Sequence, residues 1–261
     1  MDTLIKKGKE KLGLCLAGGG ARGFAHIGAI RAFEEAGIDF DIVAGTSVGS
    51  LIGALYAFGV KSDEMYEYGR DLKTSDIIGL VPTVMGDPMR IGKIVYDLVG
   101  EKNIEESPKK FAAVATDIVS AQEVVLDSGD LITSVVASCS VPLLFKPTLI
   151  GDKHLVDGGL LNNVPAKVCR KMGATRVVSI DINPKKGCGT DELGFFDILK
   201  ATMLIVIAST SGEGERYSDV MITPDMTRFL PSSKIGWKKM VEIGYEATRA
   251  KIGDIKALLA K

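Results

Sequence analysis

The chain has 261 residues, with 32 basic against 33 acidic side chains, 25% charged and 46% hydrophobic. That balance leaves no overall field to hold nucleic acid, and the ordinary charged share excludes a disordered chain or a coiled coil. The length suits one large α/β domain, although 30 glycines and a mean hydropathy of +0.20 are both high for a soluble one.

In chain order, Lys6, Lys7, Lys9 and Lys11 precede LGLCLAGGGA and imitate the start of a secretory signal. The apolar run from Leu12 to Ala17 is shorter than the roughly seven residues such a signal needs, and Arg22 follows closely. The run reads instead as a strand over 12–17 entering GGGARG. A helix near 24–36 follows, with Ile27, Ile30 and Phe33 at helical spacing and Gly37 as its stop. Residues 42–60, IVAGTSVGSLIGALYAFGV, carry no charge. A membrane span needs only about 18 such residues, and Gly45, Gly49 and Gly53 repeat at the spacing of close-packed membrane helices. Thr46, Ser47, Ser50 and the β-branched start after Asp41 favour a different division. They predict a strand over about 40–45, a turn at GTSVG and a small-residue helix to about 59.

Helices are expected at 62–72 and 91–99. Between them the stretch 77–89 holds apolar residues without clean periodicity and two prolines, which fits a cover or acyl pocket at an apolar site as well as it fits an ordinary loop. KKFAAVATDIVS and QEVVLDSG are strand-like and joined by a short turn, and a helix over 130–139 ends before Val141-Pro142. After LVDGG come a helix over 165–172, the strand RVVSIDI and a helix near 195–209. The all-apolar stretch of that helix, Met203 to Ala208, reads as buried core. A strand over 219–223 and one long C-terminal helix close the chain. This alternation predicts an α/β fold, a three-layer α/β/α sandwich around a mostly parallel sheet. It forms a single domain over 1–261, with a core of about 12–185 and a C-terminal extension of about 190–261. Cys15, Cys139, Cys169 and Cys188 are scattered without a CxxC pair, which fits small buried hydrophobes in a reduced, cytoplasmic setting.

GTSVG is a Gly-x-Ser-x-Gly between strand and helix, the nucleophile-elbow pattern, in which Gly45 and Gly49 let the two elements approach. Ser47 then sits at a helix N-terminus, where N–H groups favour developing negative charge. The plainer alternative is a tight turn with Ser47 as a helix cap. GGGARG satisfies the Gly-x-Gly-x-x-Gly of dinucleotide-binding loops, which want an acidic residue about 20 positions on, at the end of the second strand. Asp39 and Asp41 stand at the beginning of that strand, and its end carries Gly45-Thr46-Ser47. The loop is therefore read as a donor of backbone N–H groups to an oxyanion beside Ser47.

The chain has two histidines. The order Ser, acid, His of α/β-hydrolases needs a histidine after the acid, and none follows His154. His26 falls in the first helix and reads as a packed residue. Candidates for the base are then carboxylates at strand ends: Asp117 in VATDI, Asp157 in LVDGG and Asp181 in SIDI. The residues alone do not rank these three. A carboxylate, with a reference pKa of about 3.9, accepts a serine proton only if desolvated and held at hydrogen-bond distance.

Together, GGGARG, GTSVG beginning 22 residues after its last glycine, and the later DGG resemble the patatin-like phospholipase family, in a compact bacterial-type form. The similarity runs on through ATDIVSAQEVV, SCSVPLLFKP, LLNNVP and GYEATRAK. The resemblance implies a lipid acyl hydrolase with a Ser-Asp dyad, needing no metal or organic cofactor. It makes Ser47 the nucleophile and Asp157 the general base, and so ranks the three acids. Gly18, Gly19, Gly20 and Arg22 become the oxyanion loop closed by Gly23. Gly158 and Gly159 complete an acid motif that reads DGG where many members have DGA. The substrate implied is a lipid acyl ester; the alternative is a protein that keeps the fold to bind or regulate a partner. The basic C-terminal stretch, with Lys234, Lys238, Lys239, Arg249, Lys251, Lys256 and Lys261, would suit peripheral contact with an anionic membrane, although a solvated outer face is the plainer expectation.

Overall fold

In the computed structural model, the described residues are 10–72, 87–183, 194, 198, 202, 205–207 and 209–259. Strand β1 (Leu12–Leu16) is buried along its whole length and covered on both faces. Successive side chains of a strand point to opposite sides, so Leu14 and Leu16 enter one core while Cys15 and Ala17 enter another. Helix α1 (Phe24–Glu35) returns the chain to β2 (Ile42–Thr46), and α2 (Val48–Ala57) leaves it after a single residue. Helices α3 (Ser62–Asp71) and α4 (Met89–Val99) precede the antiparallel pair β3 (Lys110–Asp117) and β4 (Gln122–Leu126). Helix α5 (Leu131–Ser138) leads to a hairpin of β5 (Thr148–Ile150) and β6 (Lys153–Asp157). Then come α6 (Ala166–Lys171), β7 (Arg176–Ile180), α7 (Gly212–Tyr217), β8 (Val220–Ile222), α8 (Trp237–Arg249) and α9 (Ile252–Leu259).

The sheet runs β5-β6-β3-β2-β1-β7-β8, with β4 also paired to β3. Strands β3, β2, β1, β7 and β8 are mutually parallel. One face carries the larger core, where α1, α2, α4, α5 and α8 pack over Leu14, Leu16, Val43, Phe111, Val178 and Ile180. On the other face, Val164, Ala166, Val168 and Cys169 cover Cys15, Ile42, Ala44, Ala112 and Val114. The three-layer α/β architecture expected from the alternation is therefore present. The uncharged stretch 42–60 supplies β2, a turn and α2 at its centre, and no helix among the described residues is long and apolar enough to cross a membrane.

Several expectations need correction. The β5–β6 hairpin is an added antiparallel feature, and the C-terminal region forms two helices where one was expected. The Lys251 N–H bonds Thr248 O, a tight i to i−3 closure that ends the α-helical ladder, and Gly253, a weak helix former, follows at once. The run 77–89 lies outside the described residues through position 86, as does much of 195–209. Within Met203 to Ala208 only 205–207 are described, and Ile205 is exposed where burial was expected. Cys15, Cys139 and Cys169 are buried free thiols, and Cys188 is outside the described residues.

Candidate active site

Ser47 is the single residue between β2 and α2, and its backbone adopts φ 54 and ψ −129. A side-chain-bearing residue pays strain in that region and persists there only when its surroundings enforce it. Here they do. A Cβ on Gly45 would run into the Gly49 carbonyl, and one on Gly49 into the Leu16 carbonyl, so only glycines let α2 begin immediately above β1 and β2. The Ser47 N–H donates to Ser138 Oγ at 2.9 Å, and that hydroxyl donates in turn to the Val114 carbonyl at 2.6 Å. Its carbonyl accepts from the Ser50 and Leu51 N–H groups and from Ser50 Oγ. The Ser47 side chain makes no capping hydrogen bond, so the helix-cap alternative does not describe it.

The glycine loop leaves β1 beside this turn. A Cβ on Gly18 would lie 3.1 Å from Ser47 Cβ. The Gly18 N–H donates to the Asn163 carbonyl at 3.3 Å, and its carbonyl accepts from Asn183 Nδ2 at 2.7 Å. Gly20 has φ 58 and lies against the Pro231 carbonyl, which also accepts the Ala21 N–H at 2.8 Å. Arg22 Nε donates to the Phe229 carbonyl at 2.9 Å, and Gly23 faces the Val48 side chain at the start of α2. Among the described residues the N–H groups of Gly19 and Gly20 have no partner.

The approach of Asp157 follows from strand length. Strand β3 has eight residues and β2 five. Along one edge of β3 the pairing with β2 stops at Thr46 opposite Val114, and β6, running the other way, begins with Asp157 opposite Ala115. The two strands thus meet end to end on β3, with β4 on its opposite edge. Asp157 is 2% exposed, and burial raises its pKa to about 6, against the lowering effect of the nearby Ser47 side chain and of the Gly159 N–H. The latter bond, to Asp157 Oδ1, is 2.8 Å. Gly158 lies on the Val114 carbonyl. The Cys139 thiol, pushed well above its ordinary pKa by burial and by Asp157, adjoins the same group.

The other acids serve turns. Asp117 is held below its usual pKa by Ser120 Oγ and by the N–H groups of Val119 and His154, closing the β3–β4 connection. Asp181 accepts from the N–H and Nδ2 of Asn183. His26 is fully buried, and its Nε2–H donates to the Ala17 carbonyl at 2.8 Å. Burial lowers its pKa to about 4, so the ring is neutral near pH 7. His154 lies in β6, opposite Leu149 of the edge strand β5.

The pattern of the family described as Patatin-like phospholipase matches residues 14–170, which is more than half of the chain. This chain belongs to the patatin-like phospholipase family. An uncharacterised NTE family protein of Mycobacterium bovis is 35% identical over 188 residues, covering 69% of this chain and 32% of that protein. Human patatin-like phospholipase domain-containing protein 6 is 37% identical over 184 residues, covering 66% of this chain and 13% of that protein. The chain thus spans less than a third of the length of either relative. The crystal structure of VipD from Legionella pneumophila aligns with a TM-score of 0.53 and 14% identity, over 94% of this chain and 67% of that one, a likeness of fold.

Sequence reasoning assigned no role to Ser138, which holds the Ser47 N–H, to Asn163, or to Asn183, which holds the Gly18 carbonyl. Ser138 and Asn163 lie in SCSVPLLFKP and LLNNVP, two of the segments that carry the family resemblance, and Asn183 has no such signal. Each reaches the site from a segment remote in the chain.

Proposed function

We propose that this chain is a serine acyl hydrolase that cleaves carboxylic ester bonds of lipids through Ser47 and Asp157. The observation that supports it is a strained, 8% exposed serine beside a desolvated carboxylate whose pKa it lowers, with no hydrogen bond from either histidine to Ser47 among the described residues. Family membership supports the lipid ester as substrate class. Asp157 with a pKa of about 6 is a stronger proton acceptor than an ordinary aspartate and is still ionised near neutrality.

In the proposed reaction Ser47 Oγ bonds to the ester carbonyl carbon as its proton passes to Asp157. The carbonyl electron pair moves onto oxygen, where the Gly19 and Gly20 N–H groups are the available donors. Collapse breaks the bond to the leaving alcohol, which takes the proton from Asp157. Water then attacks the acyl-Ser47 ester with Asp157 again as base, releasing a fatty acid and restoring the serine. The test is a fluorophosphonate probe applied beside turnover of phospholipids, lysophospholipids and short-chain esters. Wild type is expected to be labelled and active, and Ser47→Ala to lose both. Undiminished labelling of Ser47→Ala would remove the assignment, and an unlabelled, inactive wild type would favour a fold kept to bind a partner.

A further inference from the structure

Asn163 lies at the junction of the glycine loop and the acid motif and is fully buried. Its backbone carbonyl accepts the Gly18 N–H, and its Nδ2 donates to Ser211 Oγ at 3.1 Å. Its Oδ1 is buried without a hydrogen-bond partner. That orphaned acceptor points between the two site glycines. It is 2.7 Å from where a Cβ on Gly18 would stand and 3.2 Å from the corresponding position on Gly159. The first of these positions is 3.1 Å from Ser47 Cβ and the second 3.0 Å from Asp157 Oδ1. Asn163 Oδ1 therefore lies close to both the serine and the carboxylate, against Gly18 and Gly159, where a side chain on either glycine would crowd it.

Resting on the Ser47–Asp157 reading above, we propose that Asn163 is a catalytic residue of the second half-reaction only, accepting one hydrogen of the water that releases the acyl group. The two nucleophiles differ by a proton. A serine hydroxyl has one, which goes to Asp157, so acylation has nothing to offer a second acceptor. Water has two. As its oxygen bonds to the acyl carbon, one hydrogen passes to Asp157, and the other needs an acceptor beside the buried Asp157 carboxylate. Asn163 Oδ1 takes that hydrogen bond and aims the oxygen lone pair at the carbonyl. On collapse the bond from acyl carbon to Ser47 Oγ breaks, the proton on Asp157 returns to Oγ, and the second hydrogen leaves with the carboxylic acid. With the amide turned over, Nδ2 would face the site and serve the oxyanion in both half-reactions, an arrangement that the same experiment separates.

The experiment is rapid-mixing hydrolysis of a p-nitrophenyl acyl ester by wild type, Asn163→Ala and Asn163→Ser, with and without methanol as a competing acyl acceptor. Methanol, like serine, has a single hydroxyl proton, so it should not need Asn163. Both variants are expected to keep the wild-type rate of fluorophosphonate labelling and a full burst of p-nitrophenol. Their subsequent steady rate should fall roughly tenfold or more, and the ratio of methyl ester to acid should rise by a similar factor. Labelling and burst falling in step with turnover would overturn the proposal and point to oxyanion binding or to a folding role. An unchanged methanol partition would overturn it as well. Absence of labelling in wild type would instead remove the dyad reading, and this step with it.

Discussion

At Asp157 a carboxyl group sits in the protein interior with the Gly159 N–H on Oδ1 and the Ser47 side chain close by. These groups do not replace the water that an ionised carboxylate loses, and the pKa rises from 3.8 to about 6. The folded chain then binds this proton more tightly than the unfolded chain. Stability from this group is present below about pH 4 and is lost as pH rises through 6; at higher pH the penalty is constant and on the order of 3 kcal/mol. Asp157→Asn keeps an acceptor for Gly159 and removes the charge. It should therefore be more stable than wild type at pH 8 by up to about 3 kcal/mol while losing turnover, with roughly half that advantage at pH 5. Urea unfolding at the two pH values checks this, and a difference that did not change with pH would show that desolvation is not its cause. His26 contributes with the opposite sign, since its pKa falls from 6.5 to about 4, but it is common to both proteins and cancels in the comparison.

Among the elements, β3 sets the geometry of the site. It outlasts β2, and the exposed length is taken by β6, so the serine turn and Asp157 are brought together by register alone. Asp117 lies two residues further along β3, while Asp181 follows β7, which flanks β1 on the side away from β2. This explains why three aspartates at strand ends looked equivalent in the sequence. The elbow and the glycine loop were legible because each is a strand, a glycine turn and a helix within a short span of chain. The meeting of β2 with β6 depends on the relative lengths of strands more than sixty positions apart in sequence, and β5–β6 is an edge hairpin whose exposed Leu149 blurs the alternation. Helix α5 contributes the other long-range contact, because its last residue, Ser138, ties the Ser47 N–H to β3. Ser138→Ala leaves that buried donor unpaired, at a cost of about 1–3 kcal/mol, and frees the strained turn to relax. Fluorophosphonate labelling of Ser47 should slow roughly tenfold with the circular dichroism spectrum unchanged. A lowered melting temperature with an unchanged labelling rate would reduce Ser138 to a purely structural contact.

Across the whole molecule, the family pattern ends at residue 170, yet the glycine loop is braced from beyond it. Phe229 and Pro231 offer their carbonyls to Arg22 and Ala21, and the segment bearing them is anchored by α8. That helix packs on α1 backbone to backbone: a Cβ on Gly244 would strike the Ala25 carbonyl, and one on Gly28 the Val241 carbonyl. Trp237, at the start of α8, stacks near Phe24 and Tyr66 with ring centroids 5.3 Å and 4.8 Å away. Moving α8 outward therefore pulls on the strap over the loop. Gly244→Ala forces that movement and should cost at least about 2 kcal/mol, lowering the melting temperature by roughly 4–8 °C, whereas Gly253→Ala, which meets open space, should not destabilise. The brace itself is read by amide hydrogen exchange. If α8 holds the strap, the Ala21 amide in Gly244→Ala should exchange faster by more than the loss of global stability explains, while Leu14 in β1 follows global unfolding. Equal acceleration at both amides would mean that α8 stabilises the fold as a unit and does not specifically hold the glycine loop in place.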